Sequence, residues 1–510
     1  MNRSRWALGG SGAVVIGAGV TTGWLGAALS ALALLGTPLF VLMAGGTALA
    51  WWLSGSPVNR LAPRVLDEQF AGSPVLVTIP LFTVLGYLLA ESKAPQRLVE
   101  ASRKLLGWMP GGLALVCLGA SAFFTTLTGG SGVTIVAIGG LLLPTLRQQG
   151  WSDRFSFGLV TTGGSLGLLF PPSLPILVYA LVAGLDFELA FRAGLLPGVL
   201  VLVILGAWAA FTGKQERIPR EAFHLRDAIA ALGLIKWELG LPVVILGGLA
   251  SGLTALDESA ALGVAYTLLV VVKVHEDLGW RDVPRVLQSA LALAGAVVLI
   301  LMMANALMNL VIDRQVPAHL LDALTKAGLT ERWQFLVALN VFLLVIGMVM
   351  DGVSALIVAV PLVLPLAARF GLSPFHLAMM VILNLELAFC MPPLGLNLFI
   401  SSFRFRLPVT TLYRAVVPFV GLLTSSLVLV AAVPKLSTAL VQPAIDDARA
   451  QAEKAGRPPR EAWLLECVQA DGLDPKPCTD EERAKYATPD AGATDDEDDE
   501  LMKQLMGEPP

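Results

Sequence analysis

Thr125-Thr126-Leu127-Thr128-Gly129-Gly130-Ser131-Gly132 stands in the middle of an otherwise apolar run, residues 110–146. Four polar side chains and three glycines there make a poor straight helix. The stretch predicts a re-entrant hairpin whose tip is enclosed by protein. A second apolar run, 334–368, carries Asp351-Gly352-Val353-Ser354 at its middle, and Asp351-Gly352 follows Gly130-Ser131 by 221 positions. The same offset takes Gly107 to Gly328, Pro144 to Pro365, Gly150 and Ser152 to Gly371 and Ser373, and Pro171-Pro172 to Pro392-Pro393, without a gap. Each Pro-Pro pair removes two backbone donors from an apolar segment, 155–184 in one case and 376–402 in the other, and breaks it. The chain thus holds two copies of one unit: a span, an amphipathic helix, a hairpin and a broken span.

The composition places both copies in a membrane. Of 510 residues, 55% are hydrophobic and 15% charged, with a mean hydropathy of +0.72. Soluble chains carry about 25% charged residues. Charge-free runs such as Val199 to Phe211, Val243 to Leu256 and Leu287 to Ile312 approach the roughly 20 residues of a spanning helix. The 50 glycines suit helices whose backbones approach closely. Net charge is −4, much of it from the acidic run Asp495–Glu500, and no basic groove for nucleic acid is visible. Arg3 and Arg5 precede an apolar stretch too long for a cleavable leader. Cys117 and Cys390 lie in apolar segments and read as packing residues, whereas Cys467 and Cys478 in the tail can pair in an oxidising compartment. No zinc, P-loop or triad pattern is present, so neither ATP hydrolysis nor metal-dependent hydrolysis is supported and the chain is expected not to be an enzyme.

The expected organisation is an all-α polytopic membrane protein. Residues 1–75 supply N-terminal scaffold spans. Residues 76–192 form the first repeat and 193–296 the central spans, with a polar loop at 213–236. Residues 297–406 form the second repeat, 407–434 a last span, and 435–510 a hydrophilic, disordered tail. Spans near 155–184, 193–212, 237–252, 258–274 and 287–312 separate the hairpins; five crossings is odd, so the copies have opposite orientations. Inverted repeats with broken helices meeting near the midplane are transporter architecture. Residues 95–107 read as a helix lying along the interface. Arg147, Arg154, Arg404, Arg406 and the basic 213–236 loop fall on one side, which is then cytoplasmic and leaves the tail periplasmic. Arg3, Arg5, Arg60 and Arg64 fall on the other side if 7–53 makes two spans.

The tips and breaks expose backbone carbonyls, amides and small hydroxyls. Ser131, Thr134 and Ser354 offer oxygen ligands, as do carbonyls freed near the breaks, such as those of Gly167 and Ala388. Hard cations want oxygen, and half-helix N-termini favour anions. The expectation is two cation sites, one at each tip and break, with an organic anion between them; the alternative is that glycine and proline serve only close packing. Asp351 can bind a cation, face water or cap a helix. Glu386, an intramembrane carboxylate, is a candidate coupling residue, or bonds a neighbouring helix. Asn384 and Asn397 flank the second break, and Asn397 is the better ligand. Glu258 reads first as a helix N-terminal charge. His319 and His376 lie at membrane boundaries and are expected to be solvated.

Gly130-Ser131-Gly132 with Gly139-Gly140 and Pro144, Gly167-Leu168-Leu169-Phe170-Pro171-Pro172-Ser173, Ser251-Gly252-Leu253-Thr254 with Glu258 and Tyr266, and Pro392-Pro393-Leu394-Gly395-Leu396-Asn397-Leu398-Phe399 together resemble the large membrane subunit of tripartite ATP-independent periplasmic (TRAP) transporters over about residues 24–434. The resemblance implies a sodium-driven importer of small organic anions, often carboxylates, in the bacterial inner membrane. It implies an elevator movement, no cofactor other than the coupling ion, a small membrane subunit and a periplasmic binding protein. Carried over, the first sodium site involves Ser131, Gly132, Gly167 and Pro171, and the second Asp351, Ser354, Pro392 and Gly395. The anion is expected to meet Gly130, Thr134, Ser173, Gly352 and Asn397. Met391 and Ala388 stand where the family usually has Thr and Gly. Two readings compete: an ion-coupled carrier of related fold without a binding protein, and an intramembrane enzyme, for which Glu386 has no evident partner.

Overall fold

The computed structural model describes residues 74–219, 224–313 and 331–446, with a few isolated positions. It also describes a two-residue antiparallel ladder, Arg460–Glu461 with Val468–Gln469. The expectations for residues 1–73, for 314–330 with His319, and for Cys467 and Cys478 lie outside the described residues.

The described body is helical. Helix α1 (Pro74–Glu91) ends where Ser92 donates its hydroxyl to the Leu89 carbonyl at 2.8 Å and accepts from the Ala94 amide at 3.0 Å. Pro95 then opens α2 (Ala94–Leu106), which turns 71° away. Ala94, Leu98 and Ala101 recur on the buried face of α2, with Arg103 and Lys104 in its last turn; this is the pattern of an interfacial helix. Residues 213–236 are not simply a polar loop. They include α9 (Leu225–Leu234), whose Ala228 and Ala231 are buried while Leu225 and Ile229 are exposed. It packs against α2 and bends 60° into α10 (Lys236–Ala250). At ten residues, with Arg226 and Asp227 in its first turn, it is too short to register as a span in a hydropathy reading.

The first hairpin has α3 (Gly112–Thr128) as its outgoing arm. Its return arm begins as α4 (Ser131–Thr134), passes through a π turn (Ile135–Gly139) and continues as α5 (Gly140–Gln148). Gly129, at φ 65°, stops α3 in the left-handed conformation that favours glycine. The break comes later than the polar residues suggest. Thr125 and Thr126 stay helical because each hydroxyl bonds the carbonyl four residues back, Ser121 and Ala122, at 2.8 Å.

Helix α6 (Asp153–Gly163) gives way to turns around Pro171-Pro172, and α7 (Leu174–Ala183) resumes beyond them. Helix α8 (Phe187–Gln215), α11 (Leu256–Leu269, extended by a π turn to Val274) and α12 (Val283–Asp313) follow. The second hairpin has arms α13 (Arg332–Val349) and α14 (Gly352–Arg369). Helices α15 (Pro374–Cys390) and α16 (Leu396–Phe405) flank the second Pro-Pro pair, and α17 (Val409–Ala432) follows. Both Pro-Pro bonds are cis.

Phe187–Gln215, Val283–Met302 and Val409–Ala432 are long and apolar enough to cross a membrane unaided, and each bent pair, α1 with α2 and α9 with α10, passes the same test jointly. The broken helices are shorter. At 17 residues, α15 is about 25 Å long. All of its residues are buried, as befits a helix enclosed by protein on every side.

Helix α1 packs between α11 and α12. There Arg97 of α2 reaches Glu238 at 2.6 Å and Asp277 at 2.8 Å, and the two carboxylates are 2% and 3% exposed. The helical body also runs past Lys435. Helix α18 (Lys435–Thr438) and the turn after it bury Val441 and Ile445, an i, i+4 apolar pair, against the core. This return covers His376, which is buried rather than solvated and meets Ser437 Oγ at 3.3 Å.

Candidate functional site

The first tip and the first break meet through hydroxyls. Thr125 Oγ1 lies 2.8 Å from Thr134 Oγ1 and 2.9 Å from the Gly164 carbonyl. Thr126 Oγ1 lies 3.1 Å from the Gly167 carbonyl. Each threonine has one proton and more than one oxygen around it, so the cluster has more acceptors than donors. Ser131 and Thr134 are buried there, and a Cβ on Gly164 would stand 2.9 Å from the Ser131 carbonyl. A Cβ on Gly167 would collide with the Ala122 carbonyl and the Thr126 amide, so only glycine permits this approach.

The structure therefore brings Ser131, Thr134 and Gly167 together around Thr125, Thr126 and Gly164, three residues the sequence reading did not select. The spacing of Thr125 and Thr134, one hydroxyl on each side of the Gly-Gly tip, was the available signal. Gly130 is the residue before α4, and its carbonyl accepts from the Thr134 amide at 3.4 Å. Gly132 faces elsewhere: its missing Cβ leaves room for Ile400 of α16. Pro171 is half-buried. Ser173 is buried, caps α7 by accepting from Ile176, and donates to the Leu168 carbonyl at 2.5 Å.

The second tip is built differently. Asp351 is exposed and caps α14, accepting from the Ser354 amide at 3.2 Å and from the Ser354 hydroxyl. Of the roles open to it, the structure shows the cap. Gly352 makes room for the Phe389 ring, and Gly347 for Ala388 and Leu385, so this tip meets its helix through apolar groups. Gly395 is buried under the Phe389 carbonyl, Pro392 is half-buried, and the Pro393 carbonyl accepts from Tyr413 at 2.8 Å.

The two broken helices also bond each other. Asn397, fully buried, donates to the Thr161 carbonyl at 3.2 Å and to Ser165 Oγ at 3.4 Å. Thr161 Oγ1 donates to Ser401 Oγ at 2.9 Å. The Asn397 Oδ1 atom is buried with no hydrogen-bond partner among the described residues. Glu386 is fully buried and both of its carboxylate oxygens lack a partner among the described residues, so the alternative of a bond to a neighbouring helix is not seen among them. Asn384 does bond one, donating to the Asn340 carbonyl and side chain at 3.0 and 2.9 Å. Glu258 accepts from the Ala255 amide at 2.9 Å, the helix N-terminal role expected of it. Cys117 and Cys390 are free and buried.

The arrangement offers an oxygen cluster for a hard cation at the first tip. Helix N-termini also begin at both tips and both breaks, at Ser131, Gly352, Leu174 and Leu396, and each end carries partial positive charge.

Residues 26–436 match the family described as "Tripartite ATP-independent periplasmic transporter, DctM component". The chain is similar to the C4-dicarboxylate TRAP transporter large permease protein DctM of Rhodobacter capsulatus, 32% identical over 81% of this chain and 97% of the relative. It is 30% identical to the isethionate TRAP transporter permease protein DctMQ of Oleidesulfovibrio alaskensis, over 74% of this chain and 60% of the relative. It is 24% identical to the ectoine TRAP transporter large permease protein TeaC of Halomonas elongata, over 81% of this chain and 96% of the relative. The solved YdaH transporter of Alcanivorax borkumensis is 17% identical, with a TM-score of 0.44 over 72% of this chain and 86% of that one.

Proposed function

The chain belongs to the DctM component family of tripartite ATP-independent periplasmic transporters, and from that premise we propose that it imports a small organic anion on a sodium gradient. The observation that carries the reading is the donor-poor oxygen cluster of Thr125, Thr134 and the Gly164 carbonyl, closed by Thr126 on the Gly167 carbonyl. Sodium is a hard cation, and unwound carbonyls with hydroxyls satisfy it in place of water. In this reading Ser131, Gly132, Gly167 and Pro171 border the first ion. Asp351, Ser354, Pro392 and Gly395 border a second, with fewer side-chain oxygens to offer.

The anion, a carboxylate or related acid, lies between the tips near Gly130, Thr134, Ser173, Gly352 and Asn397, where helix N-termini supply positive potential. The hydroxyl and amide bonds between tip and break, and between one broken helix and the other, support movement of hairpins and broken helices as one block, the elevator mechanism. Inverted repeats would present that block alternately to the two sides of the inner membrane, with the acidic tail in the periplasm. A periplasmic binding protein delivers the anion and a small membrane subunit completes the permease.

The test is uptake of labelled carboxylates into proteoliposomes holding this chain and its small subunit, with and without a sodium gradient and the cognate binding protein. Uptake that requires both supports the proposal. One observation favours a second reading: the unpartnered Glu386 carboxyl suits a proton-coupled carrier. Uptake driven by a proton gradient alone, without a binding protein, would replace the first reading with the second.

A further inference from the structure

A groove of about 1080 Å3 opens between the π turn of the first hairpin's return arm and α16. Its walls are apolar, with Val136, Phe399, Phe403 and Leu407 prominent among them, and Arg404 and Arg406 stand on its rim. Phe403 is 90% exposed and Phe399 45%. Open apolar patches of this kind mark surfaces that contact a membrane or another protein. Neither arginine pairs with a carboxylate among the described residues, and Asp153, the acid at the start of α6, is taken by Arg147 at 2.7 Å. Arg404 only rests its Nε on the Val136 carbonyl at 3.4 Å, and Arg154 brings a further cation to this end of the bundle by donating to the Arg414 carbonyl at 2.9 Å.

We propose that this groove binds an anionic phospholipid of the cytoplasmic leaflet, its phosphate between Arg404 and Arg406 and its acyl chains along Phe399 and Phe403. Guanidinium groups match phosphate oxygens in pairs and are the usual lipid-phosphate ligands at the basic side of a membrane protein. The apolar walls select a lipid over a small water-soluble acid, which would gain nothing from two exposed phenylalanines. The site rests on the membrane reading and the side assigned by the arginines, not on sodium coupling or on the identity of the transported anion. Because Arg404 leans on Val136, the lipid would sit against the return arm whose first residue is Ser131.

The test is native mass spectrometry of the full chain released from discs of phosphatidylcholine doped with phosphatidylglycerol. Phosphatidylglycerol should be retained over phosphatidylcholine by on the order of ten-fold. The preference should vanish in R404Q/R406Q and survive in part in R404K/R406K. Should the double glutamine variant misfold, R406Q alone decides, since no hydrogen bond or ion pair among the described residues holds that side chain. F403S should weaken retention of both lipids. Equal retention of the two lipids by the unaltered chain, an unchanged preference in R406Q, or displacement of phosphatidylglycerol by inorganic phosphate would overturn the proposal. The measurement involves no transport, so failure of the uptake experiment leaves it standing.

Discussion

Asn397, one residue into the helix that resumes after the second break, gives its amide to the carbonyl of Thr161, near the end of the helix that leads to the first. The halves of the chain are thereby bonded at their two discontinuities. Asn397→Asp keeps the shape but removes the donor and sets a carboxylate against a carbonyl. Uptake should fall at least about ten-fold, the cost of one buried hydrogen bond and more, and Asn397→Ala should fall by a similar factor. Initial-rate uptake at saturating sodium measures this; rates within two-fold of the parent (roughly 0.4 kcal/mol) would show that the bond is incidental.

Thr125 stands where three oxygens, the Ser121 and Gly164 carbonyls and Thr134 Oγ1, surround its one proton. Thr125→Val keeps its volume and takes the hydroxyl away. The sodium concentration for half-maximal uptake should rise roughly ten-fold, about 1.4 kcal/mol, with the rate at saturating sodium little altered. Thr134→Val should act in the same direction. A shift in the maximal rate alone would argue for a packing role instead.

Gly167 admits no side chain without moving backbone atoms of α3. Gly167→Ala should cost about 1–3 kcal/mol through overpacking, visible as a lower melting temperature in detergent. Gly150→Ala is the control for position: open space surrounds that glycine, and the strain of its φ of 91° is the only penalty. The alanine at 167 should abolish uptake, because the displaced element carries the oxygen cluster.

Glu386 holds two oxygens that nothing described satisfies. Glu386→Gln should leave the folded protein as stable as its parent or more so, since a buried carboxyl without a partner contributes no attraction to lose. Sodium-driven uptake should persist. Loss of uptake with an unchanged melting curve would transfer the coupling role to this residue, and uptake as a function of external pH would then define it.

Arg97 is the cation paired with the buried Asp277, which also accepts from the Lys93 amide at 3.2 Å, and it pairs Glu238 as well, to which His275 approaches within 3.8 Å. Arg97→Met should destabilise by about 3–5 kcal/mol, because it strands two buried carboxylates. Glu238→Gln with Asp277→Asn in the same chain should recover much of the loss. Thermal unfolding of the single, double and triple variants checks the pattern.

What could be read in the sequence follows the physics of its punctuation. Gly129 and the Pro-Pro pairs interrupt helices because their backbones cannot continue them, and that property is local. Thr125 and Thr126 mislead because a threonine satisfied by the carbonyl four residues back is invisible as such in a sequence; the pair looks like a break and stays helical. His376 was misplaced for another reason. Its burial depends on Ser437 and on residues some sixty positions later folding back, and no local pattern reports that. Helix α9 is hidden because its ten residues fall far short of a span and sit inside a stretch that is otherwise polar. Asp351 was open among three roles until Ser354 was seen to occupy its side chain.

The Arg97 clamp has a mechanical consequence. It fastens the amphipathic helix α2 to the start of α10 and to the turn that precedes α12, three pieces from separate parts of the chain. In the proposed elevator movement the sliding block pushes back on whatever guides it, and soft lipid makes a poor rail. Charges that would be costly to separate give such a rail stiffness where apolar contacts alone would let it yield. Under the proposed elevator movement the clamp belongs to the part that holds still, and a stiffer or looser version of it would change how fast the cargo travels without touching the cargo at all.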